Sequence, residues 1–196
     1  GSIIRQLAGF LMLPIYTSYL SPADYGVVGL LTVMVSLFEL LIGARFAQAV
    51  PKFYYEFDEQ KERYRVVSTA LFITLGVSIL STALVAFNSG PVSQVFFGTT
   101  DFKTHVALYC MLLFTMAIEA YGLTFLRLQE RPVLFVAKSI AKLVVQLSLN
   151  ILLVVHYKMG VMGVIYSSLI SSALFALISL CYILLYTGFQ MNAGLV

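Results

Sequence analysis

Six apolar runs, each close to the length needed to cross a bilayer, decide what this chain can fold into. They occupy residues 3–20, 26–44, 66–87, 106–126, 135–155 and 164–186. A helix needs about 20 mostly apolar residues to cross roughly 30 Å of hydrocarbon. The runs are continuously apolar, without the alternation of a barrel strand that faces a wet lumen, so helices are expected. Composition closes the soluble alternative. With 60% hydrophobic and 11% charged residues and a mean hydropathy of +0.94, the chain lacks the polar side chains needed to cover a water-exposed surface. The expected fold is all-α: a polytopic integral membrane protein, a bundle of six transmembrane helices forming one unit over residues 1–196.

Cations set the expected orientation. Arg5, Arg45, Lys52, Lys61, Arg63, Arg65, Arg127, Arg131, Lys138 and Lys142 fall on one side of such a bundle, whereas Lys103 and Lys158 fall on the other. Ten of twelve basic residues thus favour a cytoplasmic N-terminus, and an even number of spans returns the C-terminus to the same side. The expected location is the cell inner (cytoplasmic) membrane, multi-pass, with membrane lipids as surroundings. The basic residues form no stripe suited to nucleic acid, which is not an expected partner. Cys110 and Cys181 lie in apolar runs without Cys or His companions and read as small buried hydrophobes. No small-residue cleavage site follows the first run, so it is not read as a signal peptide.

The connections carry their own signals. Residues 21–26, Ser-Pro-Ala-Asp-Tyr-Gly, read as a tight outside turn, with Pro22 fixing φ and Gly26 letting the chain re-enter. Residues 52–65 are the longest polar stretch; Phe53, Phe57 and Tyr64 share roughly one face and Glu59 and Arg63 stand four apart, so an amphipathic helix extending the second span is expected. Residues 88–97 read as a turn followed by a short surface-lying segment. Pro14 should kink the first span near Phe10.

Ionisable groups inside spans are the first candidates for function, because a central charge costs about 2.5–3.5 kcal/mol on insertion scales. Glu39 in the second span and Glu119 in the fourth are such groups, and Arg45 closes the second span. Six residues separate Glu39 from Arg45, which puts them about 120° apart on a helix and prevents direct pairing. Each carboxylate therefore either faces a wet cavity or makes an interhelical bond. In the fifth span Lys138, Lys142, Gln146 and Asn150 step by four and cover one side of the helix. As a cavity wall this stripe suits an anionic head group such as a diphosphate; as structure, its lysines snorkel and its amides hold neighbouring helices. Gly163, Ser167 and Ser171, with Gly160, Ser168 and Ser172 beside them, form a small-residue face for close packing. His105 and His156 lack partners at ligand spacing, so no metal is expected. With no catalytic constellation and no nucleotide loop, neither an enzyme nor a cofactor is expected.

Several connections resemble a known family. Residues 13–26, ending in Leu20-Ser-Pro-Ala-Asp24-Tyr25-Gly26, are similar to the Leu-x-x-x-(Asp/Glu)-Tyr-Gly turn of the polysaccharide transporter family of oligosaccharide flippases, within the multidrug/oligosaccharidyl-lipid/polysaccharide exporter superfamily. Residues 44–56 and 67–71 resemble its second-to-third connection; Arg127-Leu-Gln-Glu-Arg131 and residues 159–164 resemble its fourth connection and its fifth-to-sixth turn. The similarity runs along essentially the whole chain. It implies one lobe of a two-lobe transporter, N-in/C-in, with a missing C-terminal lobe as partner and a cavity between the lobes. It implies flipping of undecaprenyl-diphosphate-linked oligosaccharide for O-antigen, capsule or exopolysaccharide synthesis, driven by an ion gradient, with a glycan polymerase or other assembly proteins as further partners. Arg45, Glu39, Lys142, Gln146, Asn150 and Glu119 are the expected cavity and head-group residues; Arg45 lies where related lipid II flippases carry cavity arginines, though out of register. Rival readings are another transporter of the superfamily (a lipid II flippase or multidrug exporter), a membrane-embedded glycan polymerase, and a non-transporting scaffold. A polymerase needs a large catalytic outside loop, whereas the longest one here carries only Asp101 and Lys103 as charges.

Overall fold

The computed structural model describes residues 10, 14, 16–42 and 46–187. Most of the first expected span, Arg5, Arg45 and the expected kink before Pro14 lie outside these residues. What is described is helical: α1 (Pro22–Ile42), α2 (Phe46–Tyr54), α3 (Gln60–Phe87), α4 (Ser89–Phe97), α5 (Lys103–Leu128), α6 (Pro132–Asn150) with a π-helical turn at Ile151–His156, and α7 (Gly160–Thr187). Among the described residues five helices are long and apolar enough to cross a membrane, over Pro22–Leu40, Gln60–Phe87, Lys103–Leu128, Pro132–His156 and Gly160–Tyr186. They match the second to sixth apolar runs, and the last four are longer than those runs, because a helix carries its hydrogen-bond ladder past the last apolar residue until a cap or turn stops it.

Two connections differ from their expected form. Residues 21–26 are a helix start rather than a turn. Ser21 Oγ accepts from the Asp24 amide at 3.1 Å and the Asp24 carboxylate accepts from the Ser21 amide at 3.2 Å. This is a reciprocal capping box with Pro22 at the first helical position, where its missing N–H costs nothing. The stretch 52–65 is likewise not one helix. α2 ends at Tyr54, and Arg63 folds back to donate to the Phe57 carbonyl at 2.6 Å while its guanidinium sits 5.4 Å from the centre of the Tyr54 ring. That clamp holds a polar bend between α2 and α3. Residues 88–97, expected as a turn and a short surface-lying segment, form the helix α4, with Gly98 in the left-handed region ending it.

α5 is the hub. Its widest contacts are with α7 and α3, and the residues these two helices turn inward are small and hydroxylated: Ser68, Thr74, Ser78 and Ser81 on α3; Ser167, Ser168, Ser171, Ser172 and Ser179 on α7. Lipid tails are as apolar as leucine, so helices in a bilayer gain by close packing and hydrogen bonds more than by apolar burial. Most of these hydroxyls are satisfied locally, as in Thr74 to the Ala70 carbonyl at 2.7 Å and Ser167 to the Val164 carbonyl at 2.9 Å, whereas Ser68 Oγ has no partner among the described residues. Large apolar side chains point outward instead, including Leu80, Leu84, Val133, Val144 and Leu177. Gly163 lets α7 touch the π-helical turn backbone to backbone: a Cβ there would lie 3.1 Å from the Leu153 carbonyl.

Apolar packing concentrates at the two ends. Leu31, Met34, Val85, Val106, Tyr109, Val161 and Ile165 fill the end nearer Lys103; Val50, Tyr54, Val67, Leu71, Tyr121, Phe125, Leu128 and Ile183 fill the end nearer Leu128. α1 belongs to the first of these. Val28 packs with Leu20, Val154 and Val164, Thr32 meets the Tyr109 hydroxyl at 3.3 Å, and Phe38 packs with Phe96 of α4. A helix aligned with α3 would have carried Phe38 about 24 Å along the bundle from Pro22. α1 therefore crosses its neighbours obliquely.

Candidate functional site

The fifth-span stripe becomes the inward edge of α6, and each of its four polar residues meets a partner on another element or its own. Lys138 donates to Ser179 Oγ of α7. Lys142 forms an ion pair with Glu119 of α5. Gln146 reaches Ser168 of α7 at 3.5 Å, and Asn150, 1% exposed, accepts from the Tyr16 hydroxyl at 3.2 Å while donating to the Gln146 carbonyl at 3.1 Å. The four-residue step makes this possible: successive positions rise about 6 Å and rotate only about 40°, so one helix edge can address α5 and α7 over its whole length.

The pair of Glu119 and Lys142 is the electrostatic centre. Their side chains are 11% and 20% exposed, which is enough burial for an unpaired charge to be strongly disfavoured. Lys138 stands one turn away on the same edge. Its ammonium is accommodated because α5 has no side chain at Gly122: a Cβ there would collide with Ser179, coming 2.6 Å from its Oγ, and would lie 3.2 Å from the Lys138 nitrogen. The Ser179 hydroxyl in turn donates to the Phe175 carbonyl at 2.6 Å. Two ammonium groups and one carboxylate leave this cluster with an excess positive charge.

Sequence reasoning named Glu119, Lys142, Gln146 and Asn150, and the structure brings the first two together and gives the amides to neighbouring helices. Glu39 is half-buried on α1, beside the Phe38 contact, and pairs with no charged group among the described residues. Arg45 lies outside them. Gly122, Ser179 and Tyr16 were missed. Ser179 follows Ser172 by seven residues and so lies on the same helix face, a spacing that would have extended the small-residue stripe to it. Nothing in the sequence pairs Tyr16 with Asn150.

At the Leu128 end the cations lie against aromatic rings. Arg127 is 4.6 Å from the centre of the Phe135 ring and Arg131 5.3 Å from that of Tyr186, while the Tyr182 hydroxyl donates to Gln129 at 2.6 Å. Arginine and tyrosine together suit a membrane–water boundary. A separate groove of 610 Å³ opens between α3, α5 and α7, lined by residues such as Ile79, Ala83, Met111, Phe114, Leu169 and Ala173. It shares no lining residue with the stripe.

A family model described as "Polysaccharide biosynthesis protein" matches residues 1–194. The chain belongs to this family. The expected relationship to polysaccharide transporters therefore holds, and it favours a transport role over catalysis. Among curated proteins the chain is 26% identical over 112 residues to the "Lipid III flippase" of Escherichia coli (strain K12), a match covering 57% of this chain and 27% of that protein; that of Shigella flexneri matches with the same figures. The matched region thus spans about a quarter of the curated relatives' length. No solved structure matches the chain.

Proposed function

We propose that this chain is the N-terminal lobe of a flippase that turns undecaprenyl-diphosphate-linked oligosaccharide over in the cell inner membrane during cell-surface polysaccharide synthesis. The observation that carries the reading is a charged, hydrogen-bonded edge running through an apolar bundle, in a chain whose whole length matches a polysaccharide biosynthesis family. Membrane helices retain such groups where polar cargo or ions must pass. In this reading six spans cross with both termini in the cytoplasm, and the Arg–aromatic belt at the Leu128 end marks the cytoplasmic boundary. A second lobe completes the cavity. Arg45, Glu39 and the edge built from Glu119, Lys142, Gln146 and Asn150 form the polar part of the route.

The test is complementation. The full-length protein is expressed in a strain that lacks its own oligosaccharide-lipid flippase, and surface polysaccharide is measured at matched membrane abundance. Restoration by the wild type with loss in Arg45→Ala and Lys142→Ala is the expected result. Full export by both variants would remove the assigned route, and failure of the wild type to move any lipid-linked glycan would remove the flippase reading. Drug resistance conferred without glycan export would transfer the chain to the multidrug exporters.

A further inference from the structure

The stripe of α6 holds two ammonium groups against one carboxylate, and the structure distributes them unequally. Lys142 is neutralised by Glu119. Lys138 forms no ion pair among the described residues; it donates to Ser179 Oγ, whose hydroxyl donates to the Phe175 carbonyl. An ammonium carries three N–H donors, so two of those on Lys138 have no acceptor among the described residues.

This cation is set back from the ends of the helices. Lys138 stands six residues inside Pro132, Gly122 six inside Leu128 and Ser179 eight inside Thr187; at 1.5 Å per residue the ammonium lies about 9–12 Å within three helix ends. A lysine at that depth ordinarily extends toward the interface. Here it turns onto α5 and α7, into space that exists because position 122 has no Cβ. A charge held there with spare donors is complementary to an anion that enters the bundle, and a compact ammonium suits a phosphate oxygen.

The geometry points to Lys138, seated on Gly122 and Ser179, as the phosphate-binding cation of this lobe, with Lys142 withheld from that role by Glu119. The ligand class is a phosphate or diphosphate ester on a lipid. Assigning it to the transported lipid rather than to a bilayer phospholipid rests on the flippase reading. Under this assignment Lys142→Ala abolishes transport indirectly, because Glu119 is freed to neutralise Lys138.

Binding of farnesyl diphosphate to the full-length protein in phosphatidylcholine nanodiscs tests this, with farnesol as the uncharged control. Lys138→Gln should weaken binding about tenfold or more, the loss expected for a charge-assisted hydrogen bond. Glu119→Gln should tighten it about threefold or more by releasing Lys142. That gain separates a binding role from a structural one, since damage to packing lowers both. Wild-type binding left unchanged by Lys138→Gln, or weakened alike by both substitutions, overturns the assignment and leaves the flippase reading standing. Absence of diphosphate-dependent binding by the wild type overturns both. Nanodiscs containing phosphatidylglycerol distinguish the sources: displacement of farnesyl diphosphate through a Lys138-dependent site supports the phosphate site and assigns it to bilayer lipid.

Discussion

Substituting Gly122 by alanine tests whether α5 and α7 touch as closely as described. The added Cβ would run into Ser179, with the hydroxyl 2.6 Å away and the Lys138 ammonium 3.2 Å away. The obstruction includes the Ser179 Cβ, which no rotamer change can move, so the helices must separate or shift. Overpacking of this kind costs about 1–3 kcal/mol, partly offset by the better helix propensity of alanine, about 1 kcal/mol. At about 2–4 °C per kcal/mol for a chain of this size, the melting temperature should fall by a few degrees. Cys110 is a ready reporter, because it is 0% exposed and reacts only when the bundle opens. Cys181 is exposed and must first be replaced by alanine. In that background a thiol-reactive dye in a thermal ramp reads unfolding directly. Ser179→Gly removes the obstructing atoms, so in the double variant the two losses should fall short of additive by about 1 kcal/mol or more, as for residues in contact. Equal melting of Gly122→Ala and the parent, or strict additivity with Ser179→Gly, would refute the close approach.

Three further outcomes use the same protein. Tyr121→Phe deletes the 2.6 Å bond from its hydroxyl to the Val67 carbonyl, where α5 meets α3; a loss of about 1 kcal/mol is expected, the net worth of one hydrogen bond, since that carbonyl keeps its backbone bond within α3, read as a lower Cys110 melting temperature. Glu119→Ala should destabilise more, by about 3 kcal/mol, because it strands the Lys142 ammonium beside a second cation, Lys138, and Glu119→Ala with Lys142→Ala should recover part of that loss. Single cysteines at Glu59 and Gln129 in a background without native cysteines should resist a membrane-impermeant maleimide in intact cells and react after permeabilisation; labelling from outside at either position would reverse the proposed orientation.

Much of the fold was legible because a bilayer leaves few choices. Apolar length gives the spans, and the five long helices follow the second to sixth runs. What was misread was local. Ser21-Pro22-Ala23-Asp24 carries both turn residues and a capping box, and only the mutual bonds of Ser21 and Asp24 show that the helix has begun. Residues 52–65 keep one apolar face in projection, but the Arg63 clamp on Tyr54 and Phe57 is a tertiary contact that periodicity does not encode. The oblique path of α1 is also invisible in sequence, since it depends on which neighbours Val28, Thr32 and Phe38 find. For the site, periodicity placed Lys138, Lys142, Gln146 and Asn150 on one edge without saying what that edge faces.

The partners of that edge explain why both readings of the stripe contained part of the answer. The amides and Lys142 are engaged with neighbouring residues, which is the structural role. Neutralisation does not account for Lys138, however, because the one carboxylate is paired with Lys142 and Lys138 meets only a hydroxyl among the described residues. An unbalanced cation is retained in a membrane at a cost that ordinary packing does not require. Gly122 adds to that cost, since glycine inside a helix is about 1 kcal/mol poorer than alanine, and the space it leaves admits Ser179 beside the Lys138 ammonium. Position 122 thus links the two levels: its missing side chain sets the approach of α5 to α7, and that approach sets where the excess charge is held.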